Sequence, residues 1–399
     1  MVDKIITAPK TKEAIRIRDM NSPCPTHRPI AALLLSLATG VLFSPSSLAA
    51  AAPRETERDA VLNLYSWTDY FPKPIRDRFQ SDTGIKVNFT VFDNPDAVET
   101  LLSVGHSGYD VVIVNASPHL AREAPHDFFT KLDKARLPNL KHADAQVMQV
   151  LQGVDPGNQY AVPWMWGTTG IMYDRERIRA ALSTVPDNRL DLVMKPAIAG
   201  KFANCGISVL DSWVDILPLV AHYLGQKDLS TEPTALAAVM KTLAAIRPYL
   251  RRIASSGYFE QLANGELCLA IGYSGDAMIA RRMIREGHID RNVVYAFPRE
   301  AVPLYIDTLT VPVDAPHADA ALTFINYVMR PDISAAVTRD IGFATGNGAA
   351  VALLPAEVRN NPAVFPPPEV RARFLLGRVY TPEETRTFTR AWQRFKAGT

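Results

Sequence analysis

The chain has 399 residues, 47% of them hydrophobic and 21% charged, with a formal charge of +2. That length and balance fit a soluble protein of two domains, each able to bury a sizeable core. The positive excess sits in the first 51 residues, where Lys4, Lys10, Lys12, Arg16, Arg18 and Arg28 outnumber Asp3, Glu13 and Asp19. The remainder is close to neutral, which recommends neither nucleic acid nor an anionic membrane surface as a partner.

Residues 30–43 form an apolar run too short to span a bilayer comfortably, preceded by basic residues and followed by Ser47-Leu48-Ala49 and Ala49-Ala50-Ala51. This is the layout of a secretory signal peptide with a small-x-small cleavage site. Residues 1–51 are therefore expected to direct export and then to be removed. An uncleaved anchor is the alternative, disfavoured by the break at Ser44-Pro45, and the long stretch before the run suggests that translation starts at Met20. Cys24 leaves with the leader, so Cys205 and Cys268 remain. An even pair in an exported protein is most simply a disulfide, worth roughly 4 kcal/mol by chain entropy; two buried free thiols are the alternative.

From residue 61 the pattern predicts strand, helix, strand, helix, strand. Val61–Trp67 is an apolar run; residues 74–82 place Ile75 and Phe79 on one helical face and stop at Gly84; residues 85–92 alternate; residues 95–104 are helical; and residues 109–114 read as a strand buried on both faces. This is an α/β unit with a mostly parallel sheet, whose ligands are expected outside the carboxyl ends of the strands, near Trp67 to Tyr70 and Asn115 to Ser117. A Pro- and aromatic-rich stretch at 160–167 leads into a strand at 170–173. A second α/β region follows, with helices near 216–224 and 233–246 and strands at 267–273 and 293–297. Helices are predicted again at 315–330 and 334–340, a surface turn at Pro366-Pro367-Pro368, and a closing amphipathic helix at 382–396.

Catalytic, metal and cofactor signatures are missing. The chain has no G-x-S-x-G elbow, no H-E-x-x-H and no phosphate-cradling glycine loop, and Gly272-Tyr273-Ser274-Gly275 lacks one residue of an elbow. A glycosidase carboxylate pair is the remaining enzymatic possibility, without a residue to position water. No enzyme, cofactor or metal is therefore expected.

Four acids stand out instead. Asp69 sits in Tyr65-Ser66-Trp67-Thr68-Asp69-Tyr70, Asp215 follows Asp211-Ser212-Trp213, Asp276 ends Gly272-Tyr273-Ser274-Gly275-Asp276, and Asp307 ends Tyr305-Ile306-Asp307. Brought together, they describe a cage for a small organic polycation. Carboxylates take its charged ends, and aromatic faces its middle, at about 0.5 to 2 kcal/mol for each cation on a ring. Each residue also has a plain structural reading. Asp69, Asp276 and Asp307 suit caps or loops, Asp215 a solvent-facing helix position, and Trp67, Tyr273 and Tyr305 ordinary core packing.

The joint pattern resembles the periplasmic polyamine-binding proteins of ABC importers, most closely the putrescine-binding branch. The resemblance runs from about Leu62 to the C-terminus. It is carried by Leu64-Tyr65-Ser66-Trp67-Thr68-Asp69-Tyr70, Thr83-Gly84-Ile85-Lys86-Val87, Gly108-Tyr109-Asp110-Val111-Val112 and Pro163-Trp164-Met165-Trp166-Gly167-Thr168-Thr169-Gly170. Leu262-Ala263-Asn264-Gly265-Glu266-Leu267-Cys268, Gly275-Asp276 and Asn326-Tyr327-Val328-Met329-Arg330-Pro331-Asp332 extend it.

The resemblance implies a two-lobed α/β clamshell of the type II periplasmic-binding-protein class, with hinge crossings near 168–174 and 293–299. Lobe one would take residues 52–170 and 299–345, and lobe two residues 171–298 and 346–399. It implies a periplasmic, monomeric protein that captures a di- or polyamine for a membrane permease. Trp67, Thr68, Asp69 and Tyr70 match the first-lobe ligand segment, and Asp276 and Asp307 match the amine-binding acids. Asn115 stands where the family often has Ser, Asp215 where it has Glu, Tyr273 for Trp, Tyr305 for Phe and Phe343 for Tyr. Cys205 and Cys268 match the disulfide of the putrescine-binding branch. The shorter Asp215 and the smaller Tyr273 enlarge the site, with Trp213 expected to fill part of that space, so cadaverine and spermidine join putrescine as candidates. A receptor for another organic cation and a polyamine sensor are the rival readings.

Overall fold

The computed structural model describes residues 60–68, 70–92 and 95–398. The expected leader and Asp69 lie outside the described residues. The chain opens with Val61–Trp67 (β1), whose Leu62, Leu64 and Ser66 face inward on alternate positions. A helix, Lys73–Thr83, follows with Ile75 and Phe79 inward, and Gly84 ends it in the left-handed conformation at φ 75°, donating its N–H to Gln80. Lys86–Phe92 (β2) and Val111–Asn115 (β3) flank β1, both parallel to it. β3 is buried nearly throughout, whereas β2 is a mostly exposed edge.

The Pro- and aromatic-rich stretch is not a leader into a short strand. It is the first half of one 14-residue strand, Ala161–Asp174 (β4), buried at every position and bulged between Pro163 and Met165. The bulge lets a proline enter a central strand, where it would otherwise cost a ladder hydrogen bond. Beyond it come Ile207–Val209 (β5), Leu250–Ile253 (β6), Leu269–Tyr273 (β7), Val293–Ala296 (β8), Val302–Thr310 (β9), Ala344–Thr345 (β10) and Phe374–Leu376 (β11). The main strand order is β2-β1-β3-β9-β4-β7-β5-β6. The expected parallel unit is present in β2-β1-β3, and the sheet as a whole is mixed, because every pairing of β4 and that of β3 with β9 is antiparallel.

β4 passes from one core to the other. Its residues 161–168 pair with β9, and its residues 169–174 with β7 and β8. The first core gathers Leu62 to Trp166 with Leu304 to Ala344 and includes Phe71, Phe79, Trp164 and Phe324. The second gathers Ile171 to Val293 and includes Phe202, Ile216, Tyr258 and Leu269. The tail divides between them. Val364 and β11 join the first core, through parallel pairing of β11 with β9, whereas Tyr380, Phe388, Trp392 and Phe395 join the second. The expectation that residues 346–399 belong wholly to lobe two therefore does not describe how the tail packs.

Cys205 and Cys268 form a disulfide with Cα atoms 5.6 Å apart. They precede β5 and β7, whose parallel pairing sets Ile207 against Leu269, so the bond staples two neighbouring strand starts. Among the described residues no helix is long and apolar enough to cross a membrane.

Candidate functional site

Asp307 lies in β9 directly opposite Asn115, the last residue of β3. Cross-strand partners share a face of the sheet, and the Asn115 amide donates to Asp307 Oδ1 at 3.3 Å. Tyr70, just after β1, donates its hydroxyl to Oδ2 at 2.5 Å. The Trp67 side chain, at the end of β1, supplies a third hydrogen bond. Burial, with 4% of the residue exposed, pushes the Asp307 carboxyl up to about 6 against the pull of these donors.

The other two described acids start helices. Asp215 is in the first turn of Trp213–Tyr223, and Asp276 in the first turn of Ser274–Glu286. There the exposed backbone N–H groups and the helix dipole favour a carboxylate. Ser212 and Tyr273 donate their hydroxyls to Asp215 Oδ2 at 2.5 and 3.0 Å, and Thr169 donates to Oδ1 at 3.1 Å. Burial raises the Asp215 carboxyl although part of the residue is accessible, and the three donors oppose that rise. The fully buried Tyr258 donates its hydroxyl to Asp276 Oδ2 and accepts the Tyr273 backbone N–H at 3.0 Å. Tyr273 thus touches Asp215 through its phenol and is tied to Asp276 through its backbone.

Aromatic rings join the two groups. Tyr273 and Tyr305 meet edge to face, with centroids 5.3 Å apart at 76°, as do Tyr70 and Phe343 at 5.5 Å and 70°. Two glycines permit this closeness. A Cβ at Gly275 would lie 2.5 Å from the Phe343 ring, and one at Gly167 would lie 2.2 Å from the Tyr305 hydroxyl. Burial, reinforced by the neighbouring carboxylates, raises the hydroxyls of Tyr70, Tyr258, Tyr273 and Tyr305, so all four remain protonated, and the first three donate to carboxylates. Such rings offer an apolar face to an alkyl chain and a polar tip to an acid.

Trp67, Tyr70, Asn115 and Asp307 therefore form one group, Asp215, Tyr273 and Asp276 another, and Tyr305 and Phe343 pack between them. Thr68 is exposed. Trp213 does not fill space beside Tyr273. Its ring packs on Tyr380 and Phe388, 5.2 and 5.5 Å away, because the closing helix offers an aromatic surface there. Tyr258, Ser212 and Thr169 were missed as parts of the site. Ser212 had the signal of a hydroxyl beside an acid, but nothing local marks Tyr258, which reaches Asp276 across 18 residues.

The profile of the bacterial extracellular solute-binding protein family matches residues 75–366. The chain is 39% identical over 339 residues to the putrescine-binding periplasmic protein SpuD of Pseudomonas aeruginosa, covering 85% of this chain and 92% of that one. It is 36% identical over 367 residues to the putrescine-binding periplasmic protein PotF of Escherichia coli, covering 92% and 98%. A solved structure from Listeria monocytogenes, described as a putative spermidine/putrescine ABC transporter, superposes with a TM-score of 0.73 at 25% identity, covering 84% of this chain and 98% of that one. With its two cores joined through β4, the chain has the two-lobed α/β fold of periplasmic binding proteins and belongs to the bacterial extracellular solute-binding proteins, transport components rather than enzymes.

Proposed function

We propose that this protein captures putrescine or a closely related polyamine in the periplasm and delivers it to the membrane permease of an ABC importer. The observation that carries the reading is the company its acids keep. The groups that bond Asp215 and Asp307 are all neutral, namely hydroxyls, an amide and an indole, although burial penalises both carboxylates. Acids bonded in this way favour cationic ligands, and a diamine supplies two ammonium groups on one flexible chain. The names of the relatives, two of them putrescine-binding and periplasmic, support the same ligand class and compartment.

In this reading Asp69, Asp215, Asp276 and Asp307 pair with ammonium groups, Trp67, Tyr70, Tyr273, Tyr305 and Phe343 line the alkyl chain, and Thr68 and Asn115 complete the first-lobe side. Residues 1–51 are removed on export, and the protein works as a monomer. The lobes hinge at β4 and between β8 and β9, a division supported by the two separate cores. A dication held from both lobes gives closure its differential affinity. Burial of four methylenes contributes at most roughly 3 kcal/mol, so placement of the second ammonium decides rank among diamines more than chain length does. Calorimetric titration of the mature protein, unfolded and refolded to strip bound amine, against putrescine, cadaverine and spermidine tests this. Saturable one-to-one binding at micromolar or tighter is expected for at least one, and silence toward all three overturns the reading.

A further inference from the structure

A second cluster of titratable groups lies outside the amine site. Glu99, on the helix Pro95–Val104, meets His119 and Glu123 from the helical turns between Ala116 and His126. One ligand atom from each residue lies within 4.8 Å of the other two. His119 Nδ1 is 3.5 Å from Glu123 Oε1 and 4.0 Å from Glu99 Oε2. Donor atoms around a tetrahedral zinc-type ion stand roughly 3.3 Å apart, so small rotations bring this set to that spacing. No local spacing marks the cluster, since Glu99 comes from a separate helix.

Glu123 is the group that points to a ligand. The residue is 1% exposed, and neither carboxylate oxygen has a hydrogen-bond partner among the described residues. A buried carboxylate in that state demands a cation. Arg122 serves the other side of the cluster, where its guanidinium bonds Glu99 and comes within 3.3 Å of His119 Nδ1. Its side chain is 33% exposed and has room to turn outward.

We propose that Glu99, His119 and Glu123 bind a divalent transition-metal ion of the zinc type, through His119 Nδ1 and one oxygen of each carboxylate, with the fourth position left to water. One imidazole with two carboxylates suits zinc or cobalt. Calcium and magnesium call for six or more ligands, almost all oxygen. The proposal rests on this cluster alone and is independent of the amine reading.

The test uses untagged protein purified from the periplasm, stripped with a chelator that is then removed. Zn2+ alone is titrated by calorimetry, and Co2+ by its visible absorption. One-to-one binding at micromolar or tighter is expected, with the strong visible bands of four-coordinate cobalt. Glu123→Gln and His119→Gln are each expected to weaken it at least about 100-fold, the upper end for losing even an outer-shell partner. Glu99 is the more exposed ligand, its side chain 35% accessible, so Glu99→Gln keeps the test open if the buried variants misfold; it is expected to weaken binding roughly tenfold or more. Arg122→Ala is expected to tighten binding, because a competing cation is gone. No saturable binding, or binding that Glu123→Gln and Glu99→Gln leave unchanged, overturns the proposal.

Discussion

Asp307 and Asp276 bring the same carboxylate to the candidate site on opposite kinds of backbone. Asp307 stands in a strand, where sheet hydrogen bonds consume the backbone N–H groups and side chains from β1, the following turn and β3 must hold it. Asp276 stands in the first turn of a helix, with a favourable dipole at hand, and accepts the Tyr258 phenol. The strand acid is thus held by donors gathered from several elements, while the helix acid draws on the dipole of its own helix and shares Tyr258 with the backbone N–H of its neighbour Tyr273.

The sharpest way to break the comparison is to remove the charges. Asp307→Asn and Asp276→Asn are each expected to weaken diamine binding by more than about tenfold without unfolding the protein, since a buried ammonium without its acid costs several kcal/mol. Calorimetry alongside a melting curve checks this, and unchanged affinity in either variant removes that acid from the site. Next in size is the staple beneath β5 and β7. The Cys205→Ser, Cys268→Ser double variant is expected to lose roughly 2–4 kcal/mol of stability in denaturant titration, with diamine affinity nearly unchanged because neither sulfur approaches the acids.

A direct contrast of the two settings comes from deleting one phenol on each side. Tyr258→Phe is expected to cost roughly 1–3 kcal/mol of stability, because it leaves the Tyr273 N–H without its phenol acceptor, and to reduce diamine affinity several-fold. Tyr70→Phe is expected to cost less, because Asn115 and Trp67 still hold Asp307. Equal effects would mean that the two acids are supported alike.

The smallest effect is on pH. With its folded carboxyl at about 6, Asp307 is protonated in the folded chain and ionised in the unfolded one between about 4 and 6. Its contribution therefore favours the ligand-free fold at low pH and is lost as pH rises through about 6. Ammonium binding needs the ionised form, so diamine affinity is expected to fall about fivefold between pH 6 and pH 5. Affinity measured from pH 5 to 8, with Asp307→Asn as the control, checks the sign; a flat profile would show that Asp307 is ionised throughout.

Much of this molecule was legible one segment at a time. Ile75 and Phe79 four residues apart, Gly84 at the helix stop, and the alternation in Val61–Trp67 specify their elements through local spacing, and the structure places them within a residue or two of expectation. Cys205 and Cys268 could be paired because Cys24 falls in the expected leader, which leaves one pairing. The acids and aromatic residues could be singled out because their types declare their chemistry. What only the tertiary structure decided was who meets whom. The phenol of Tyr258 on Asp276, the turn of Trp213 toward Tyr380 and Phe388, the division of the tail between two cores, and the meeting of Glu99 with His119 and Glu123 depend on strand order and helix placement. Those contacts join residues far apart in the chain, and no periodicity within a segment encodes the orientation of another segment packed against it.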